Sequence, residues 1–216
     1  MPEPVSIPPF ALWRSAAIGF CGKLPARGDF VASALPRRFV EPWHDWMQRM
    51  LVASRDRLGD GWLAAWLEAP IWRFVLSPGV CGPDAAIGLW LPSVDRVGRY
   101  FPLTVAAVVS DIEPATLLET GGGFLAAAES AGLDALAYDH APEALGAAVA
   151  TAGEAVPADC GVGSEWRPAG GALWWSEGCN RVPAGVFATR SLPEEEIFVG
   201  MLDAGVAASP AECGEA

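Results

Sequence analysis

Residues 86–91 (Ala-Ile-Gly-Leu-Trp-Leu) and 103–109 (Leu-Thr-Val-Ala-Ala-Val-Val) are apolar almost without interruption. Neither alternates between apolar and polar positions, so neither reads as a strand with one face in water. Short unbroken apolar runs of this kind belong to central strands covered on both faces. A chain that holds two of them must supply apolar cover above and below a sheet. This one has the material, with 52% hydrophobic residues and ten tryptophans.

The cover is legible on either side of the two runs. Glu41-Pro42 reads as a helix start with proline in the first turn. Trp43, Trp46, Met47, Met50 and Ser54 then recur at helical spacing. Asp60 reads as the cap of a second helix carrying Trp62, Leu63, Trp66 and Leu67, ended by Ala69-Pro70. Residues 114–136 and 142–151 are alanine-rich and helical, interrupted by Gly121-Gly122-Gly123. Glu194-Glu195-Glu196 opens a last helix, acidic in its first turn as the helix dipole favours. Further strands are predicted over 16–24, 71–76, 172–175 and 185–189, and a loop over 25–36. Helices before, between and after strands imply an α/β domain. The expected architecture is a three-layer α/β/α sandwich with a mixed, partly antiparallel sheet. It forms a single domain over residues 16–206, with flexible tails at 1–15 and 207–216.

Charge excludes several function classes. The net charge is −12, and it is divided unevenly: residues 1–100 carry +2 and residues 101–216 carry −14. Nucleic-acid binding needs a basic footprint that this chain lacks, and the same balance disfavours anionic membranes. The apolar runs are far too short to cross a bilayer. The first residues show no basic stretch followed by an apolar one. The five cysteines are scattered, with no Cys-x-x-Cys pair. These features predict a cytoplasmic protein with no membrane insertion, no metal and no cofactor.

Two segments place charge among backbone-bending residues. One is Gly22-Lys23-Leu24-Pro25-Ala26-Arg27-Gly28-Asp29-Phe30; the other is Pro92-Ser93-Val94-Asp95-Arg96-Val97-Gly98-Arg99-Tyr100-Phe101-Pro102. Loops of this composition are where function usually sits. Gly22-Lys23 is no phosphate loop, because the glycine spacing is wrong and no hydroxyl follows the lysine. His44 and His140 have no glycine-flanked nucleophile to serve. No catalytic residue is therefore expected. Lys23, Arg27, Asp29, Phe30, Arg73, Ser93, Asp95, Arg96, Arg99 and Tyr100 are the site residues, as a structural network or as a partner surface. Arg73 lies in an apolar strand and needs a carboxylate if buried, with Asp29 or Asp95 expected to supply it. Trp174-Trp175, adjacent on a strand, face opposite ways; both are expected to be covered by helices, the alternative being that one is covered and the other left for a partner.

Gly22-Lys23-Leu24-Pro25-x-x-Gly28-Asp29-Phe30, Ala69-Pro70-x-Trp72-Arg73-Phe74 and Pro92-Ser93-Val94-Asp95-Arg96-Val97-Gly98-Arg99-x-Phe101-Pro102 together resemble the TagF (ImpM) family, with Trp174-Trp175 as a looser echo. That resemblance implies an accessory protein of type VI secretion. It implies a repressor that works after translation by protein–protein binding, in concert with threonine phosphorylation. Type VI secretion components, forkhead-associated-domain proteins among them, are the implied partners. The alternative class is a small-ligand-binding or enzymatic domain that uses loops 23–30 and 93–100.

Overall fold

The computed structural model describes Trp13 and residues 15–163 and 170–207. The expected tails fall almost wholly outside the described residues. Trp13, within the first of them, is buried and stacks on Phe124, ring centroids 5.2 Å apart.

Seven strands form one sheet: β1 (Ala17–Gly22), β2 (Val31–Ser33), β3 (Trp72–Leu76), β4 (Ala85–Leu91), β5 (Leu103–Val109), β6 (Ala172–Ser176) and β7 (Gly185–Thr189). Their spatial order is β2-β1-β5-β4-β3-β6-β7. Every neighbouring pair is antiparallel, so the mixed sheet expected from sequence is corrected to an open antiparallel one. The reason lies in the connections. β3, β4 and β5 are joined by short links and form a meander, as β6 and β7 form a hairpin. The two helical connections, β2 to β3 and β5 to β6, join strands that are not adjacent.

β4 and β5 are buried at every position, as their unbroken apolar sequences require. Alternate residues feed two cores. Trp72, Phe74, Trp90, Ala106, Val108 and Trp174 enter one, with side chains of α1 (Arg37–Leu58), α2 (Trp62–Glu68) and α6 (Glu195–Leu202). Val75, Ile87, Leu89, Val105, Ala107 and Trp175 enter the other, with α3 (Pro114–Thr120), α4 (Gly122–Ala137) and α5 (Pro142–Ala152). A four-residue helix, α7 (Ala204–Ala207), closes the described chain. Trp174 and Trp175 do face opposite ways, yet both are buried, so neither is left for a partner.

Two local departures from the sequence reading have clear causes. α1 begins at Arg37, one turn before Pro42, which sits inside the helix. Pro42 has no N–H for the carbonyl of Arg38. Gly82, at φ +108°, packs against that carbonyl instead; a Cβ there would lie 2.6 Å from it. β2 falls within the expected loop, a three-residue strand too short to show a period.

The sheet brings the two charged loops together. Gly22 ends β1 and Leu91 ends β4, and both pair with Leu103 at the start of β5. The segments 23–30 and 92–102 therefore leave the same end of the sheet, side by side. Gly22 has φ +137°, and a Cβ on it would come within 2.0 Å of the Pro102 carbonyl oxygen. Only glycine permits that approach.

Candidate functional site

Asp95 is the centre of the joined loops. Its side chain is fully buried. Oδ2 accepts from Lys23 Nζ at 2.8 Å and from Arg99 Nε at 2.7 Å. Oδ1 accepts from the backbone N–H groups of Val97 and Arg99 at 3.0 and 2.9 Å. Burial by itself would raise the Asp95 pKa. The hydrogen bonds from Lys23, Arg99 and Val97 outweigh it and hold the carboxyl well below the usual carboxylate range. Asp95 is thus an ionised anchor at neutral pH.

The local sequence shapes this anchor. Val94 and Tyr100 form an isolated antiparallel bridge, and Gly98 takes φ +84° in the turn between them. Asp95 and Arg99 close the turn through the backbone, with the Asp95 N–H donating to Arg99 O at 3.0 Å. Across the gap, the Arg96 N–H donates to Arg27 O at 2.9 Å, and Ser93 Oγ donates to Lys23 O at 2.7 Å. Arg99 also donates through its guanidinium to the Gly28 carbonyl. From below, the Trp66 indole donates to Ser93 O at 3.3 Å, which ties the loop to α2.

The expected residues divide into an interior and a rim. Ser93 and Asp95 are buried and Lys23 nearly so. Phe30 packs edge-on against His44 and Phe101, with centroids 4.8 and 5.5 Å apart, so His44 is a packing residue here. Tyr100 meets the edge of Trp62 at 5.6 Å. Arg27, Asp29, Arg96 and Arg99 are exposed, with Val97 standing 65% exposed among them. Asp29 lies 3.9 Å from Arg99, and Arg27 lies 3.6 Å from Glu143 on α5; both are weak, solvated pairs.

Arg73 is not part of this cluster. Its side chain is mostly buried, 13% exposed, but its partners are Glu129 on α4 at 2.5 Å and Glu177 at 3.1 Å, not the expected Asp29 or Asp95. Arg73 pairs across β3–β4 with Leu89, whose side chain enters the core under α4. Its guanidinium must therefore emerge on that side, and Asp95 is already committed to Lys23 and Arg99. Glu129 was missed in the sequence. The available signal was a carboxylate next to Ala128 in the buried stripe of Phe124, Leu125, Ala128, Ala131 and Ala135, a signal shared with Asp134 beside Ala135.

Among the described residues no three His, Cys, Asp or Glu side chains gather to hold a metal, and no helix is long and apolar enough to cross a membrane. The four described cysteines are free thiols, with those of Cys21 and Cys81 buried. Burial pushes Cys81 up to about 12 and Cys21 higher still, which leaves both unreactive.

The sequence model of the TagF N-terminal domain, described as type VI secretion system-associated, matches residues 19–152. The chain belongs to the TagF family. The matched TagF segment contains both charged loops, most of β1 and strands β2 to β5. The crystal structure of PA0076 from Pseudomonas aeruginosa PAO1, determined at 2.05 Å, is similar over 92% of this chain and 100% of that one. The identity is 36% and the TM-score 0.75. That likeness covers more of the chain than the 134 residues from 19 to 152 of the TagF N-terminal match. No curated protein sequence matches the chain.

Proposed function

We propose that this protein is a non-enzymatic, cytoplasmic regulator of type VI secretion that represses the system after translation by binding one of its components. Membership of a family associated with that system, through the segment that holds both loops, is the observation that carries the reading. The loops suit recognition better than chemistry. Their one buried carboxylate is saturated by four hydrogen bonds, which leaves it no free capacity as a base. What faces outward is a rim of Arg27, Asp29, Arg96 and Arg99 around the apolar Val97, the composition of an interface margin with an apolar centre. A forkhead-associated-domain protein of the secretion apparatus is the partner class that fits the family.

The test is secretion of the tube protein under conditions where the system fires. Deletion is expected to raise it and overexpression to lower it. Arg27→Glu with Arg96→Glu is expected to relieve repression while shifting stability by less than about 0.5 kcal/mol, because both side chains are exposed. Secretion unchanged by both deletion and overexpression refutes the repressor reading. A folded double variant that still represses fully moves the binding surface off the rim.

A further inference from the structure

A second recognition surface lies away from the loops, along the outer side of α1. Two clefts of about 720 and 950 Å³ run end to end there and share Arg49 and Glu195. One wall is α1 itself. Asp45, Arg49, Val52 and Asp56 follow at helical spacing and form a single row about 16 Å long at 1.5 Å per residue. The other wall is residues 191–196, leading into α6. That wall is fixed in place. The Trp46 indole donates to the Pro193 carbonyl at 2.8 Å, and Trp46 meets the edge of Phe198 at 5.7 Å. The groove is therefore preformed, with both sides anchored in the same core.

Its lining mixes apolar and acidic groups. Val52, 61% exposed, lines one cleft, and the half-buried Val80 and Leu192 with the buried Trp46 and Met50 line the other. Asp45, Asp56, Glu194, Glu195 and Glu196 rim it against two guanidinium groups, those of Arg49 and Arg57. Among the described residues, Asp56 and Glu194 to Glu196 have no salt-bridge partner. Five carboxylates against two cations leave the rim with a negative surplus that favours a basic occupant.

We propose that this groove docks a basic amphipathic helix of a partner protein. A preformed trough between rigid walls, about three turns long, accepts a helix that inserts an apolar face read at i, i+3, i+4 and i+7. The acidic rim selects lysine or arginine on the flanks of that face and steers its approach. A second copy of this chain is a poor occupant, because it brings its own acidic surface and a net charge of −12 to the contact. This surface is separate from the charged loops, and the proposal goes beyond the repressor reading.

The probe is a fluorescent peptide of about 14 leucine and lysine residues, near four helical turns, with leucines at i, i+3, i+4 and i+7. A scrambled peptide of the same composition is the control, and binding is followed by anisotropy at physiological salt. The patterned peptide is expected to bind at least tenfold more tightly than the scrambled one. Val52→Lys, and separately Asp56→Lys with Glu195→Lys, are each expected to weaken it at least tenfold. Arg27→Glu with Arg96→Glu is expected to leave it within twofold. All the substituted residues are exposed, and the two groove variants check each other if one fails to fold. Equal affinity for the scrambled peptide, or groove variants that bind like the parent protein, overturns the proposal. Neither result bears on secretion, so this test and the repressor test fail separately.

Discussion

One face of the sheet is packed with indoles and the other with aliphatic side chains. Trp43, Trp46, Trp62, Trp66, Trp72, Trp90 and Trp174 share the core beneath α1, α2 and α6. Opposite them, leucine, valine and alanine fill most of the space beneath α4 and α5. The two differ in directionality. Six of the seven indole N–H groups find a named acceptor: Thr104, Pro193, Ser54, Ser93, Met201 and Thr189. Each bond fixes one helix, loop or strand relative to its neighbour, because a donor buried without a partner is costly. Aliphatic contacts carry no such vector and tolerate repacking. Both proposed recognition surfaces rest on the indole side. Trp66 holds the charged loop, and Trp46 holds the wall of the acidic groove. Residues that must present a fixed outline are thus supported by the core that permits fewest alternatives.

The largest test of this contrast is Trp66→Ala. It is expected to cost about 4 kcal/mol, the range for deleting a buried tryptophan, and to loosen the loop around Ser93. Denaturant unfolding checks the first, and amide exchange in residues 93–99 the second. A loss confined to stability, with exchange unchanged, would detach the loop from the indole core.

Asp95→Ala comes next, at about 3 kcal/mol, because it leaves Lys23 buried without its counter-charge. The figure is at the low end of such losses because Arg99 reaches water. The effect should depend on pH. The native carboxyl titrates well below the unfolded one, so its stabilisation is complete above about pH 5 and fades as pH falls through the unfolded pKa of about 4 towards the native value. The stability gap between parent and variant should therefore narrow below pH 4. A gap that stays constant down to pH 2 contradicts the charged anchor.

On the aliphatic side, Arg73→Met is expected to cost about 2 kcal/mol by leaving Glu129 half-buried and unpaired, with most of that loss recovered on adding Glu129→Leu. No recovery in the double variant would mean the pair does more than satisfy itself. The smallest effects come from swaps between apolar side chains, of which only the second conserves volume. Trp43→Phe strands the buried Thr104 hydroxyl and should cost about 1–2 kcal/mol, whereas Leu145→Met, fully buried on α5, should cost under about 1 kcal/mol. Equal costs would erase the distinction between the faces.

The sequence made the core more legible than its pairings. β4 and β5 were evident because, Thr104 apart, they hold no polar side chain, and the tryptophan helices because their spacing is helical. The two loops could be singled out, but their union around Asp95 could not, since it depends on β1 pairing with β5 across the sheet. Proline misled at one point: Pro42 marks a helix start by rule, yet here Gly82 fills the space at the carbonyl it frees. Arg73 showed the same limit. Apolar neighbours announced that it would be buried, but the face of β3 from which it emerges, and hence Glu129 as partner, is set by strand register rather than by local composition.

The bonds that join the two loops span 69 to 76 residues of chain. Nothing local can assemble them. Closing so long a loop has an entropic cost that is offset only once β1, β5 and β4 have aligned. The outward rim is therefore the signature of a finished molecule: a nascent or nicked chain with β1 unpaired displays neither its shape nor its charge arrangement. A partner that reads the rim reads, in the same act, whether the whole sheet has been built.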